Sequence, residues 1–235
     1  MTMPDSKGSA AVVVLGLLLA TMGVSTMVFG QTTTQKLPAP AVDEHSTAHS
    51  ETAVFAGGCF WGVQTTFERI KGVKATTAGY SGGSKETANY RAVSSEASGH
   101  AESVKVVFDP TRISYGTLLR VFFSVVHDPT QLNRQGPDVG TSYRSAIFYT
   151  SPEQQKIATA YIAQLDEAKA FPKKIVTEVV PLKAFYDAED FQQDYAEKNP
   201  DTPYIQVCDI PKVKALKEQF PELFQDYTRQ YPVEH

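Results

Sequence analysis

Apolar residues fall along this chain either as short unbroken runs or as stripes at helical spacing. Ala53-Val54-Phe55-Ala56 is a run stopped by Gly57-Gly58, which predicts a buried strand. Phe60, Val63, Phe67 and Ile70 then repeat at helical spacing, Arg69 and Lys71 fill the last turn and Gly72 closes it, so a helix begins near Cys59. Val73 to Tyr80 reads as extended and turns at Ser81-Gly82-Gly83, and Glu102 to Phe108 reads as a strand stopped by Asp109-Pro110. Ser114 caps the clearest helix, striped by Tyr115, Leu118, Leu119, Phe122, Phe123 and Val126. A polar loop from Thr130 to Thr141 leads to a strand over Tyr143 to Tyr149. Ser151-Pro152 opens a further helix with Gln154 at the capping-box position. A strand is expected over Ile175 to Val180, a helix over Asp187 to Asn199, a last strand over Tyr204 to Ile210, and an amphipathic helix after it. Strands and helices alternate, yet long loops join several strands, which favours a mixed-sheet α+β or α/β domain.

The N-terminus changes this picture. Ala10 to Phe29 carries no charge, Lys7 precedes it, and Val28 and Gly30 are the compact residues of a cleavage site before Gln31. Residues 1–30 therefore read as a signal peptide. The competing reading is a membrane anchor, since an apolar stretch of about 20 residues spans a bilayer. Both export the rest of the chain, to the periplasm in a Gram-negative source. Residues 31–50, rich in Thr, Pro, Ala and Ser, lack apolar periodicity and read as a flexible linker. Residues 51–235 suffice for one domain. A net charge of −4 without Lys/Arg clusters argues against nucleic acid.

The chemistry gathers in three stretches. In Gly57-Gly58-Cys59-Phe60-Trp61-Gly62 a strand feeds a double glycine and the cysteine falls at a helix start. Unpaired N–H groups there favour thiolate over thiol, so Cys59 reads as a reactive nucleophile rather than half of a structural disulfide with Cys208. Phe60 and Trp61 stand beside it, at least one facing solvent. In Gly99 to Phe108, alternation puts Glu102 on the apolar face of Val104, Val106 and Phe108. Desolvation there would keep its carboxyl protonated, as a general acid needs. An edge glutamate reaching water is an equal alternative. The polar loop is long enough to be functional, and Tyr90 and Tyr143 offer phenolic donors. No metal-ligand spacing and no phosphate-binding loop appears.

Gly58 to Gly62 strongly resembles the catalytic motif of A-type peptide methionine sulfoxide reductases. The resemblance continues in order through Gly79-Tyr80-Ser81-Gly82-Gly83, Tyr90-Arg91, Gly99-His100-Ala101-Glu102, His127-Asp128-Pro129-Thr130, Asn133-Arg134-Gln135-Gly136, Asp138 and Tyr143-Arg144-Ser145. It implies an α/β two-layer sandwich with a mixed sheet and a ferredoxin-like core. It implies Cys59 as nucleophile and Glu102 as proton donor, which decides the open reading of Glu102. Tyr90, Tyr143 and Asp138 would bind the sulfoxide oxygen, with Phe60 and Trp61 as the wall for the methyl group. The implied activity is reduction of methionine S-sulfoxide, in proteins or free, through a Cys59 sulfenic acid. No organic cofactor or metal is implied, only an external thiol from a thioredoxin-like or glutaredoxin-like protein.

One feature departs from the family. Many members carry a recycling cysteine directly after a tyrosine, where this chain has Tyr204-Ile205, and Cys208 comes three residues later. Cys208 is the only other thiol, and economy makes it a candidate resolving cysteine that attacks the sulfenic acid. In the strand reading it is instead a fixed packing residue, and an external thiol reduces Cys59 directly. Two rivals from other classes are a papain-like cysteine hydrolase with His100 or His127 as base, and a non-catalytic exported binding domain with a Cys59–Cys208 disulfide.

Overall fold

The computed structural model describes residues 36–44 and 46–228, so the expected leader lies outside the described residues. Six strands form one mixed sheet: β1 (Glu51–Gly57), β2 (Val73–Ser81), β3 (Ala101–Phe108), β4 (Ser145–Tyr149), β5 (Glu178–Pro181) and β6 (Phe185–Asp187), in the order β5-β4-β1-β3-β2-β6. Neighbours are antiparallel except β4 and β5, which run parallel. The period-two alternation assigns the two faces. Ala53 and Phe55 of β1 meet the helices, whereas Val54 and Ala56 join Ala146 and Phe148 in a smaller cluster on the other face. Phe55 is fully buried, stacked 5.1 Å from Phe67 and 5.0 Å from Phe122. Burial of one such ring contributes about 1.5–3 kcal/mol.

The helices are α1 (Phe60–Phe67), α2 (Tyr90–Val93), α3 (Tyr115–Val121), α4 (Pro152–Glu167), α5 (Tyr195–Lys198) and α6 (Ile210–Gln219). Ser114 caps α3 as its sequence predicts, accepting the Thr117 N–H at 3.1 Å. The stripe then runs on through a π-helical turn, Phe122–Val126, which delivers His127 below β1. Ser151 caps α4, but Gln154 reaches one residue beyond the capping box and accepts the Thr150 N–H at 3.0 Å.

Four expectations need correction. The strand expected from Tyr143 starts at Ser145, because Thr141–Tyr143 forms a 3₁₀ turn. The strand expected over Ile175 to Val180 is displaced to Glu178–Pro181. Asp187 to Asn199 is helical only in α5. Its polar side chains serve other elements: Gln193 accepts the Ala78 N–H and donates to the Ala78 carbonyl, both at 2.9 Å, and Asp194 sits at φ +53°. Tyr204 to Ile210 is no strand. Ile205–Asp209 is a π-helical turn that runs directly into α6. Pro211 occupies the first turn of α6, where its missing N–H has no partner to lose, so it opens the helix rather than ending a strand.

The expected linker is also not free where it is described. Leu37 is buried in the main cluster, the Arg120 Nε–H donates to its carbonyl at 2.6 Å, and the Tyr161 hydroxyl donates to the Pro38 carbonyl at 2.8 Å. Its apolar content is low, but one leucine and a run of backbone carbonyls suffice to dock it.

Candidate active site

β1 ends at Gly57, and the chain turns at Gly58 with φ +93°. A side chain at 58 would adopt a strained backbone, and its Cβ would stand 2.7 Å from the Gln135 side chain. This turn sets Cys59 at the N-cap of α1, only 7 % exposed. Burial, then the carboxyls of Glu102 and Asp209, push the Cys59 thiol well up; the Trp61 N–H and the Lys212 ammonium pull the other way. The expectation of a thiolate primed by the helix start is therefore corrected. Desolvation and two facing carboxyls outweigh the partial charge of an eight-residue helix, and the resting group is a thiol.

Glu102 comes from β3, which lies between β1 and β2 in the interior of the sheet, so the edge reading falls. It is 3 % exposed, stands opposite Tyr80 in the ladder, and accepts the Phe60 N–H through Oε2 at 2.9 Å. Burial first, with the negative charge of Asp138 adding to it, pushes its carboxyl up to about 8. It is a neutral acid beside a neutral thiol.

Around this pair stand the phenols. Tyr143 ends the Thr141–Tyr143 turn and packs on the main cluster. Burial and the facing Glu102, Cys59 and Asp138 raise its phenol, so it stays a proton donor. Tyr90 opens α2, and Glu189 ties it to the sheet. Glu189 accepts the Tyr90 N–H at 2.8 Å and the Tyr80 hydroxyl at 2.9 Å. Asp138 lies on the hairpin pairing Arg134–Gln135 with Asp138–Val139.

The two aromatic wall residues diverge. Phe60 is fully buried, 5.8 Å from the Tyr80 ring, while Trp61 keeps a partly exposed face. Trp61 stacks on Tyr195 at 3.8 Å, meets the Tyr204 ring edge-on at 5.8 Å, and donates from Nε1 to Gln192 at 2.8 Å.

A second side of Cys59 opens on a cavity of about 90 Å³ lined also by His127, Asp138, Tyr204, Cys208 and Lys212. Cys208 is a free, partly exposed thiol on the π-helical turn, so the fixed strand position assigned to it does not exist. Sequence reasoning missed several groups here. Tyr204 donates to Asp138 Oδ2 at 2.5 Å, and Asp209 pairs with Lys212. Only the Asp209–Lys212 spacing, three apart in a helix, left a readable trace.

Neither rival reading fits. Burial pushes His127 down to about 4, and both its ring nitrogens are engaged, with Phe122 O at 3.2 Å and Ser145 Oγ at 2.7 Å. His100 is likewise engaged, with Gly83 N at 3.2 Å and Ser84 O at 2.9 Å. Cys59 and Cys208 are not joined.

The mixed sheet and this thiol–acid–phenol grouping define a thiol-dependent oxidoreductase. The family model described as peptide methionine sulfoxide reductase matches residues 51–223. The chain is 53 % identical over 188 residues to peptide methionine sulfoxide reductase MsrA 2 of Synechocystis sp., covering 78 % of this chain and 88 % of that one. It is 52 % identical to MsrA 2 of Mesorhizobium japonicum, covering 79 % and 95 %. Methionine sulfoxide reductase A of Corynebacterium diphtheriae superposes with a TM-score of 0.57 at 35 % identity, covering 73 % and 86 %. The chain belongs to the peptide methionine sulfoxide reductase family, A type.

Proposed function

We propose that the chain reduces methionine S-sulfoxide in oxidised proteins to methionine, with Cys59 as nucleophile and Glu102 as proton donor. The observation that carries this reading is the buried, neutral Glu102 carboxyl held by the Phe60 N–H directly beside the Cys59 thiol. A sulfoxide oxygen is a poor leaving group until protonated. Glu102, assisted by the Tyr90 and Tyr143 hydroxyls, supplies that proton. The sulfur becomes electrophilic and the Cys59 sulfur attacks it as its own proton is lost; the S–O bond breaks and the protonated oxygen leaves as water. Water then attacks the Cys59 sulfur of the resulting sulfonium, the S–S bond breaks with its electron pair going to the departing methionine, and the released proton returns to Glu102. In sum, the Cys59 thiol and the sulfoxide become Cys59 sulfenic acid and methionine. Trp61, braced by Tyr195 and Tyr204, receives the methyl group, and the hydrogen-bonded Asp138–Tyr204 pair walls the site.

Cys208 then completes the cycle. Its packing role rested on a strand that does not form, and its thiol lies on the cavity wall with Cys59. Attack of Cys208 on the sulfenic acid gives a Cys59–Cys208 disulfide and water. A thioredoxin-like or glutaredoxin-like dithiol reduces it. The protein acts after export, in the periplasm of a Gram-negative source. An envelope form beginning at Gln31 supports that location, and a cytosolic form keeping Met1 refutes it.

The test is intact-mass analysis after excess methionine sulfoxide without reductant, in the presence of dimedone. The wild type loses two hydrogens and resists dimedone, Cys208→Ser takes up one dimedone, and Cys59→Ser forms no methionine. Methionine formation by Cys59→Ser overturns the assignment of the nucleophile.

A further inference from the structure

One basic side chain lies in the cavity shared by Cys59 and Cys208, and the reduction step leaves it without a task. Lys212 is 7 % exposed. Its ammonium has three N–H donors, and among the described residues one partner is found, Asp209 Oδ1 at 3.2 Å. Asp209 is fully buried, and its Oδ2 has no hydrogen-bond partner among the described residues. The pair is pressed against the first turn of α1. A Cβ on Gly62 would stand 2.4 Å from Nζ and 2.0 Å from Asp209 Oδ1, so the glycine closing the Gly-Cys-Phe-Trp-Gly run is what admits the pair. Buried ion pairs are weak stabilisers because desolvation opposes them, so its placement here calls for another role.

Position supplies that role. Lys212 follows Cys208 by four residues in a continuous helical segment, which puts both on one face. Cys208 is faced by Asp209 and Lys212 from its own segment, by Asp138 from the hairpin and by Tyr204. Cys59 is faced by Glu102 from β3 and by Asp209 and Lys212. His127, the other basic group on the wall, is held neutral by burial. Lys212 is thus the one cation lining this cavity among the described residues.

We propose that Lys212, oriented by Asp209, is a positioning residue for recycling: its ammonium faces Cys208 on the cavity wall and stabilises the sulfur as Cys208 gives up its proton to attack oxidised Cys59. In that step the Cys208 sulfur forms the S–S bond and the S–O bond of Cys59 sulfenic acid breaks. The departing oxygen takes up the proton Cys208 released and leaves as water. Burial and Asp209 push the Cys208 thiol up, and Lys212 opposes them. At Cys59 the same cation is outweighed by burial and Glu102, so reduction depends on it less.

The inference rests on the recycling reading above, and its test separates the two. In a Cys59→Ser background, the rate of Cys208 alkylation by iodoacetamide is followed against pH. Lys212→Met moves the midpoint upward by about one unit, a roughly tenfold loss of thiolate below it. Asp209→Asn moves it downward, and Lys212→Arg keeps it near wild type. A merely structural pair would not give opposite signs. The double variant Asp209→Asn/Lys212→Met leaves no lone buried charge, covers a misfolded Lys212→Met, and must have a higher midpoint than Asp209→Asn alone. Equal or same-direction shifts overturn the role of Lys212. With Cys59 present, Lys212→Met slows disulfide formation about tenfold relative to the first turnover of methionine. A wild type that forms no disulfide refutes recycling by Cys208, while the alkylation result still decides Lys212.

Discussion

The Phe60 N–H donates to Glu102 Oε2 at 2.9 Å, tying the first turn of α1 to the interior strand β3 beside Cys59. Burial, chiefly, pushes that carboxyl up to about 8, so it carries its proton through neutrality and loses it as the pH rises through about 8. Sulfoxide reduction therefore falls on that alkaline limb. Glu102→Gln slows single-turnover methionine formation by about 10²–10⁴ and removes the limb. A variant with the wild-type rate and profile would take Glu102 out of the reaction.

The same proton sets a stability trend. The folded value, about 8, lies above the ordinary 4.5, so the native state holds the proton more tightly than the unfolded chain. The stabilisation is full below the ordinary value and is lost as the pH rises through the folded one. Glu68, raised to about 9 by burial and the facing Asp194 carboxyl, titrates in the same direction and is untouched by substitution at 102. Thermal melts should show Glu102→Gln more stable than wild type at pH 9, with the gap closing at acid pH. Equal melting temperatures at pH 9 would contradict the buried neutral acid.

Cys59 is 7 % exposed and its thiol is raised by burial and by Glu102, whereas Cys208 is partly exposed. Without substrate at neutral pH, iodoacetamide should modify Cys208 before Cys59. Peptide mapping over a time course reads the order. Faster labelling of Cys59 would mean that the helix start prevails over desolvation after all.

What the sequence made legible was local. The double glycine before Cys59 and the alternation that turns Glu102 inward are properties of neighbouring positions, and both hold in the fold. The charge state of Cys59 was not legible. It is set first by burial and Glu102 and then by Asp209, which follows it by some 150 positions and approaches only because Gly62 has no side chain. Tyr204 and Asp138 meet across 66 positions, a separation that no periodicity encodes. The strand expected over Tyr204 to Ile210 fails because the π-helical turn in its place has neither of the usual periods, and Pro211 stands in the first turn of α6 as a helix-start residue.

Tyr204 donates to Asp138 Oδ2 at 2.5 Å while its ring meets Trp61 edge-on. Removing the hydroxyl leaves the ring packing in place and takes a donor from a carboxyl that burial already raises. Tyr204→Phe should raise KM about tenfold, equivalent to roughly 1.4 kcal/mol, with little change in kcat. Steady-state kinetics on a sulfoxide-containing peptide decide it. A fall in kcat at constant KM would place Tyr204 in the chemical step instead.

The segment preceding β1 is a strap on the domain. Leu37 is 3 % exposed in the main cluster, and its carbonyl accepts from Arg120 of α3. Asp43 accepts from the Gly116 N–H at 2.9 Å and the Ser114 hydroxyl at 2.6 Å, adding a carboxylate to the N-terminus of α3. Gln164 of α4 accepts the Ala41 N–H at 2.8 Å and donates to the Ala39 carbonyl at 2.9 Å. A buried leucine truncated to alanine loses both its transfer energy and its packing, so Leu37→Ala should destabilise the domain by about 2–5 kcal/mol. These contacts go to α3 and α4 rather than to Cys59 or Glu102, so specific activity at low temperature should stay at the wild-type level. Urea unfolding followed by circular dichroism, paired with an activity assay, separates the two effects. A Leu37→Ala protein that unfolds at the wild-type midpoint would show that the strap is not docked in solution.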